Sequence, residues 1–196
     1  MKNVLFVDCC IRRELSRTKA LADAALAVLE AREDVSVTRL CLMDEPLQYF
    51  SEGFFAQRER LLAAGEREHP RFRYAHQFAA ADAIVIAAPF WDLAFPALLK
   101  VYIENVSVEG ITFGCNESGC FGTCRAERML FLTTRGGSYD GAPDEMGARY
   151  LAALCGFFGI PQFDCVAADG LDLGTRPPEE ILTEAKAKAA ALAETL

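Results

Sequence analysis

The residues best suited to chemistry lie in three short segments, each directly after an apolar run. The first segment, residues 9–18, contains cysteines, arginines and hydroxyl groups just before a helical pattern. Free N–H groups and the helix dipole at a helix start favour an anion, so Ser16, Arg17 and Thr18 are candidates for binding a phosphate monoester. The alternative is that Ser16 only caps the helix. The segment contains neither G-x-G-x-x-G nor a Walker lysine motif, which disfavours a tightly held dinucleotide or nucleoside triphosphate.

The other two segments suit a flat ring. Residues 89–93 (Pro-Phe-Trp-Asp-Leu) place two aromatic side chains where a strand ends, so that an aromatic wall and backbone amides could hold a ring. The alternative is that these aromatics only anchor the loop to the core. Residues 133–139 (Thr-Thr-Arg-Gly-Gly-Ser-Tyr) contain paired glycines, which permit close approach to a ligand or form a simple tight turn. Here Arg135 could offset negative charge on a reduced ring.

Eight cysteines are present. The apolar run at the N-terminus ends at Asp8 and is too short for a signal peptide, so all eight are expected to be reduced thiols. Four in apolar runs are expected to be small core residues: Cys9, Cys41, Cys155 and Cys165. Three others lie in a glycine-rich segment: Cys115, Cys120 and Cys124. They are either free or redox-active thiols, or ligands of a metal or iron–sulfur cluster that would need a fourth ligand.

The elements that position these segments follow from alternating apolar runs and helical patterns. Five strands are predicted, at residues 3–7, 35–42, 83–88, 129–133 and 162–168. Helices are predicted at residues 16–31, 95–108, 145–158 and 177–196. Continuous apolar strands are typical of a parallel sheet covered on both faces, and such alternation favours a doubly wound α/β sheet. Residues 44–70 form an excursion with a charged helical piece (53–68), interpreted as a surface segment or partner-contact arm.

Length and charge narrow the function classes. The 196 residues fit a single domain over 1–196, and 52% of them are hydrophobic, which excludes a disordered chain. A net charge of −8 disfavours nucleic acid and anionic membrane as partners, since both require a basic face. No stretch approaches the roughly 18 apolar residues of a membrane span. The protein is therefore expected to be cytoplasmic, with its ligand beyond the carboxyl ends of the strands.

Taken together, the three segments resemble those of the FMN-dependent NADH-azoreductases and NAD(P)H quinone reductases. The closest stretch, residues 84–106 (IVIAAPFWDLAFPALLKVYIENV), is similar to that family's strand, proline–aromatic loop and P-x-x-L-K-x-Y helix. Four shorter stretches also match in place: 109–113 (EGITF), 134–137 (TRGG), 156–160 (GFFGI) and 168–170 (ADG). The combination is specific, although each piece alone is not.

The resemblance implies a flavodoxin-like fold, with a five-stranded parallel sheet in the order 2-1-3-4-5 and helices on both faces. It implies FMN as cofactor and no catalytic side chain, because the flavin carries the chemistry. The residues that would hold the FMN are Cys9, Ser16, Arg17, Thr18, Pro89, Phe90, Trp91, Asp92, Leu93, Thr134, Arg135, Gly136, Gly137 and Tyr139. It also implies a homodimer with the active site at the interface. Phe113, Phe121 or Phe157 could then line the active site of the partner subunit.

The implied activity is two-electron transfer from NADH or NADPH to a small flat acceptor such as a quinone or azo compound. Both substrates would use one pocket in turn, which predicts ping-pong kinetics. The sequence departs from the family at Asp92, where asparagine is usual, and at Cys9, where serine is common. The cysteines of residues 116–124 are also unusual. The alternatives are a one-electron carrier, an iron–sulfur flavoprotein and a thiol-bearing redox or binding module on the same fold.

Overall fold

The computed structural model describes residues 1–196. Its main sheet contains five parallel strands: β1 (Lys2–Asp8), β2 (Val35–Cys41), β3 (Ala83–Ala87), β6 (Arg128–Thr134) and β7 (Gln162–Ala168). A separate antiparallel hairpin is formed by β4 (Phe113–Asn116) and β5 (Gly119–Gly122). The main sheet has the order β2-β1-β3-β6-β7, which is the predicted order once the two hairpin strands are counted. The hairpin itself was not predicted, because glycine and cysteine dominate it and no apolar alternation marks its strands.

Six α-helices accompany the sheet: α1 (Arg17–Glu30), α2 (Glu52–Ala63), α3 (Arg73–Ala80), α4 (Ala97–Val106), α5 (Gly147–Phe158) and α6 (Pro178–Ala193). Helices α1 and α6 cover one face of the sheet, while α3, α4 and α5 cover the other. The four predicted helices are present, shortened by one to three residues at most ends. Helix α3 was not predicted, and the charged helical piece is shorter than expected.

The core consists of two apolar layers, one on each face of the sheet. Alternate residues of β1 enter different layers, so that Leu5 packs with α4 and α5 while Phe6 packs with α1. Strand β3 lies in the middle of the sheet and is buried at every position. This continuous apolar strand is therefore fixed in place, and it fixes the loop that follows it.

The excursion of residues 44–70 lies at the surface. Helix α2 has no buried residue, and only Leu61 and Leu62 pack against a small cluster around Phe72 and Ile111. The prediction of a surface segment is confirmed, and the prediction of a partner-contact arm remains a prediction. No helix in the structure is both long and apolar enough to cross a membrane.

Two predictions about the cysteines need correction. Cys165 is exposed rather than part of the core, because β7 is an edge strand and a groove between α5 and α6 runs along it. Cys9 and Cys155 are buried as predicted, and Cys41 is half-buried. The expectation of eight reduced thiols is also wrong, since Cys115 and Cys120 form a disulfide. The hairpin register places these two residues directly opposite each other, with Cα atoms 4.0 Å apart.

Candidate functional site

The three predicted segments converge at one edge of the sheet. Strand β3 pairs with both β1 and β6, and the register places Asp8 opposite Ala87 and Ala87 opposite Leu132. Because all three strands are parallel, the segments that follow them leave the sheet side by side. The candidate site is the surface formed by residues 9–18, 88–95 and 134–139.

The first segment ends in a helix start with free backbone donors. The Ser16 hydroxyl accepts a hydrogen bond from the Lys19 N–H at 3.3 Å and caps α1. The N–H groups of Arg17 and Thr18 have no intrahelical acceptor at this position, and the helix dipole adds positive potential. The Thr18 side chain is fully buried, and its hydroxyl hydrogen-bonds the Thr134 hydroxyl at 2.6 Å. Ser16 therefore acts as a cap, and the free backbone groups beside it can bind an anion.

The Arg17 guanidinium does not point to a free anion site in this structure. It donates hydrogen bonds to both carboxylate oxygens of Asp172, at 2.8 and 3.1 Å. Asp172 follows β7 and also lies against Gly136, where a Cβ would come within 2.5 Å of its Oδ2. This exposed ion pair links the start of α1 to the segment that follows β7, which in turn contacts the segment that follows β6.

Of the two adjacent cysteines, the second lies nearer the helix start. Cys9 packs in the α4 layer, where burial and the neighbouring Asp8 carboxylate raise the pKa of its thiol to about 12. Cys10 lies in the opposite layer, and its thiol donates to the Ala87 carbonyl at 3.8 Å. Its backbone N–H donates to the Asp8 carboxylate at 2.8 Å. Strand alternation through β1 could have identified Cys10, because Cys9 continues the layer of Leu5 and Val7.

The second segment is a tight loop with unusual backbone angles. Asp92 and Leu93 have φ values of +49° and +65°, in the left-handed region that non-glycine residues rarely occupy. Such residues cost about 1–3 kcal/mol each and are typically found at functional sites. The loop is held by the Met146 N–H, which donates to the Leu93 carbonyl at 2.9 Å, and by the Phe90 N–H, which donates to the Thr134 carbonyl at 3.1 Å.

The backbone of this loop leaves three donors available. The N–H groups of Trp91, Asp92 and Leu93 have no acceptor within the chain. The Trp91 side chain is 42% exposed, whereas Phe90 packs against Tyr139 with ring centroids 4.5 Å apart. Phe90 and Tyr139 therefore anchor the loops to each other, and Trp91 is the aromatic residue of this segment that is open to a ligand.

The third segment is held from behind by the segment that follows β7. The carbonyls of Arg135, Gly136 and Gly137 accept hydrogen bonds at 2.9–3.0 Å from the N–H groups of residues 170–172. The N–H groups of Gly136, Gly137 and Ser138 have no acceptor within the chain. A second set of free donors thus lies beside the first, at the ends of adjacent strands.

Arg135 is buried within an ion-pair network. Its guanidinium lies 3.0 Å from the Glu145 carboxylate and 3.4 Å from the Asp169 carboxylate, and only 5% of its side chain is exposed. Glu145 also accepts from the Ala148 N–H at the start of α5, and Asp169 accepts from the Tyr139 N–H. The charge of Arg135 is therefore balanced by two carboxylates, and its guanidinium carbon lies 5.4 Å from the centroid of the Phe90 ring.

The three predicted substrate-side aromatics lie away from these loops, around the hairpin. Phe113 and Phe157 pack with ring centroids 4.6 Å apart. Phe121 pairs with Gly114 on the opposite face of the hairpin, covers it, and is 50% exposed. Cys124 donates to the Thr112 carbonyl at 3.5 Å, and no group of three or more potential ligands is arranged for a metal ion.

The residues present fit a phosphate-bearing flat cofactor such as FMN. Two free N–H groups at a helix start suit a phosphate, and six free N–H groups on two neighbouring loops suit the polar edge of a ring. The glycines matter here, because a Cβ at Gly137 would come within 2.9 Å of the Tyr139 ring. Sequence reasoning missed four supporting residues: Cys10, Glu145, Asp169 and Asp172. The alternation of β1 marks Cys10, whereas the carboxylates of Glu145, Asp169 and Asp172 act on other segments and no local pattern marks them.

Comparisons with known proteins agree with this architecture. The family described as "Flavodoxin-like fold" matches residues 2–193. The FMN-dependent NADH:quinone oxidoreductase of Clostridium perfringens is 36% identical over 197 residues, covering 99% of each chain. The FMN-dependent NADH:quinone oxidoreductase 2 of Clostridium acetobutylicum is 36% identical over 195 residues, covering 96% of each chain.

A solved structure of an azoreductase from Bacillus anthracis superimposes with a TM-score of 0.89 at 29% identity, covering 100% of both chains. The sequence resemblance proposed above is confirmed by these matches. The chain therefore belongs to the flavodoxin-like family of FMN-dependent NADH:quinone oxidoreductases and azoreductases.

Proposed function

We propose that this protein is an FMN-dependent oxidoreductase that transfers two electrons from NADH to a quinone, azo compound or similar flat acceptor. The observation that carries the proposal is the set of free backbone donors on three adjacent strand-end segments. Backbone N–H groups that the chain itself leaves unpaired, concentrated at one edge of the sheet, can donate to a ligand with matching acceptors. The relatives named above are themselves described as FMN-dependent NADH:quinone oxidoreductases.

The chain's own residues would bind and orient the cofactor. The N–H groups of Arg17 and Thr18 would hold the phosphate, and those of residues 91–93 and 136–138 would hold the ring edge. When bound, FMN supplies two-electron exchange between the nicotinamide and the acceptor. Trp91 would cover the ring and exclude water. No acid or base from the chain is needed at these loops, and the side chains act by position.

Asp92 sets the charge at the ring edge. A carboxylate there opposes the negative charge gained on reduction, so it makes the bound cofactor a weaker oxidant than an amide would. Asp92 is exposed and adopts a left-handed backbone conformation that both aspartate and asparagine tolerate. The variant Asp92→Asn would therefore keep the loop and raise the midpoint potential of the bound cofactor.

We further propose that one domain spanning residues 1–196 assembles as a homodimer around this site. Apolar side chains surround the loops and the hairpin, and each is more than 40% exposed: Trp91, Leu93, Phe121 and Met146. Exposed apolar groups concentrated near a site are typical of an interaction surface. Sedimentation equilibrium tests this proposal, and a monomer at micromolar concentration with FMN bound would refute it.

The visible spectrum of the purified protein tests the cofactor. We expect oxidised-flavin absorption, and added FMN should quench the fluorescence of Trp91, the only tryptophan. A protein that takes up no added FMN and keeps its emission unchanged would refute the proposal. Initial rates with varied NADH and quinone should give parallel reciprocal plots, whereas intersecting lines would exclude one pocket serving both substrates in turn.

A further inference from the structure

The β4–β5 hairpin carries the chain's one disulfide on an exposed surface. Cys115 and Cys120 are both exposed and lie directly opposite each other in the antiparallel register. The tip between them is a short turn, in which Asn116 accepts a hydrogen bond from the Ser118 N–H and Gly119 has a φ of +122°. Because the two cysteines are only five positions apart in sequence, their thiols would stay within reach of each other even in a loosened, reduced hairpin.

Most of the other cysteines are protected from reaction. Burial raises the pKa of the Cys9, Cys124 and Cys155 thiols to about 12, and it raises the pKa of Cys10 further. Cys165 is exposed in the groove beside β7, but desolvation by the groove walls raises the pKa of its thiol to about 12. Since the thiolate is the reactive species, exchange chemistry is directed to the hairpin pair.

The hairpin depends on this cross-link for its order. A two-stranded hairpin is only marginally stable in water, and this one pairs with no strand of the main sheet. Its base is fixed, because Gly122 lies against the backbone of Phe158 and Gly159 and the Cys124 N–H donates to the Phe158 carbonyl. Its tip, from Cys115 to Cys120, is exposed throughout. The disulfide is therefore the main constraint beyond the base.

We propose that Cys115 and Cys120 form a reversible thiol–disulfide exchange site for small disulfides and dithiol reductants, and that its redox state sets the order of the hairpin. In oxidation, one cysteine thiolate attacks a small disulfide and releases one thiol. The second cysteine then attacks the resulting mixed disulfide and releases the other thiol. The protein pair loses two protons and two electrons, which the small disulfide takes up as it becomes two thiols. A dithiol reverses the process and leaves as its own cyclic disulfide.

Mass spectrometry of the intact protein tests the exchange. The full-length protein is reduced with dithiothreitol, freed of reductant and treated with oxidised glutathione. We expect the mass to fall by two hydrogens with no adduct, and dithiothreitol to restore it. The variant Cys120→Ser should instead retain one glutathione, and the control Cys124→Ser should behave like the wild type. A stable glutathione adduct on the wild type, or no change in mass, would overturn the proposal.

Hydrogen exchange tests the structural consequence without relying on activity. Amides of residues 113–122 should exchange faster in the reduced wild type than in the oxidised one, while amides of β3 should not change. A double variant, Cys115→Ser with Cys120→Ser, should match the reduced protein under both conditions. Equal exchange in the two redox states would overturn the claim that the cross-link orders the hairpin.

Discussion

The segment of residues 135–145 and the hairpin of residues 113–122 both carry predicted site residues outside regular helices, yet they are fixed by opposite means. The first is held by a buried cation, Arg135, between two carboxylates supplied by Glu145 and Asp169. The second is exposed and is held by packing at its base and a covalent bond near its tip. Removing one member of the buried network should destabilise several elements at once, whereas removing the local cross-link should destabilise only its own hairpin.

Removing the buried cation should have the largest effect. Arg135→Met would leave the buried Glu145 carboxylate and the half-buried Asp169 carboxylate without a counter-charge, and breaking a buried pair in this way costs about 3–5 kcal/mol. We expect this loss in the free energy of unfolding measured with urea. The matched control is Arg17→Met, because Arg17 forms an exposed pair worth at most about 1 kcal/mol. Similar losses for both variants would contradict the buried network.

The base of the hairpin should be the next most sensitive position. In Gly122→Ala the new Cβ would lie 1.8 Å from the Phe158 carbonyl carbon and 1.9 Å from the Gly159 nitrogen, so backbone must move. Overpacking of this kind costs about 3 kcal/mol at the upper end of its usual range. Thermal unfolding measures the effect. Gly156→Ala is the control, because the space beside Gly156 is open and alanine favours its helix, α5.

The difference between the two regions also explains which structural features could be predicted from the sequence. The order of the five main strands was implied by the family resemblance. All five strands themselves were predicted, because continuous apolar runs such as Ala83–Ala87 are a local signal of a buried parallel strand. The three loops of the site were found for the same reason, since each follows such a strand. Neither the hairpin nor the disulfide was predicted, because glycine-rich strands carry no apolar alternation and their register depends on the turn.

The contacts that support the site from distant segments of the chain were likewise not predicted from the sequence. Arg135 was identified as a site residue, but its pairing with Glu145 and Asp169 joins segments up to 34 residues apart. Cys9 was selected on the family resemblance, because serine is common at its position, whereas the alternation of β1 places Cys10 in the layer of α1. Sequence patterns thus locate the loops, whereas the contacts between loops depend on the assembled sheet.

Removing the cross-link should cost less than either of the first two changes. The double variant Cys115→Ser with Cys120→Ser loses a bond that closes a short loop, which corresponds to about 2 kcal/mol of chain entropy at most. We expect that loss in urea unfolding of the oxidised protein, and none relative to the reduced wild type. A loss that persists against the reduced wild type would show that the serines disturb packing instead.

The smallest effect is expected at the exposed pair of Arg17 and Asp172. The Arg17 guanidinium lowers the pKa of the Asp172 carboxyl below its ordinary 3.8, so the pair stabilises the folded state fully only above that pH. Its contribution should be lost as the pH falls through the lowered pKa. Asp172→Asn should therefore cost about 0.2–1 kcal/mol at pH 7 and nothing once the wild-type carboxyl is protonated.

The same variant separates support of the loops from binding of the cofactor. Asp172→Asn removes a negative charge beside the proposed phosphate site and frees the Arg17 guanidinium, which is otherwise bonded to Asp172 at 2.8 Å. FMN affinity, measured by fluorescence titration at low salt, should rise even though stability falls slightly. If affinity falls together with stability, the ion pair positions the α1 start for the cofactor, and its role matches that of the Arg135 network on a smaller scale.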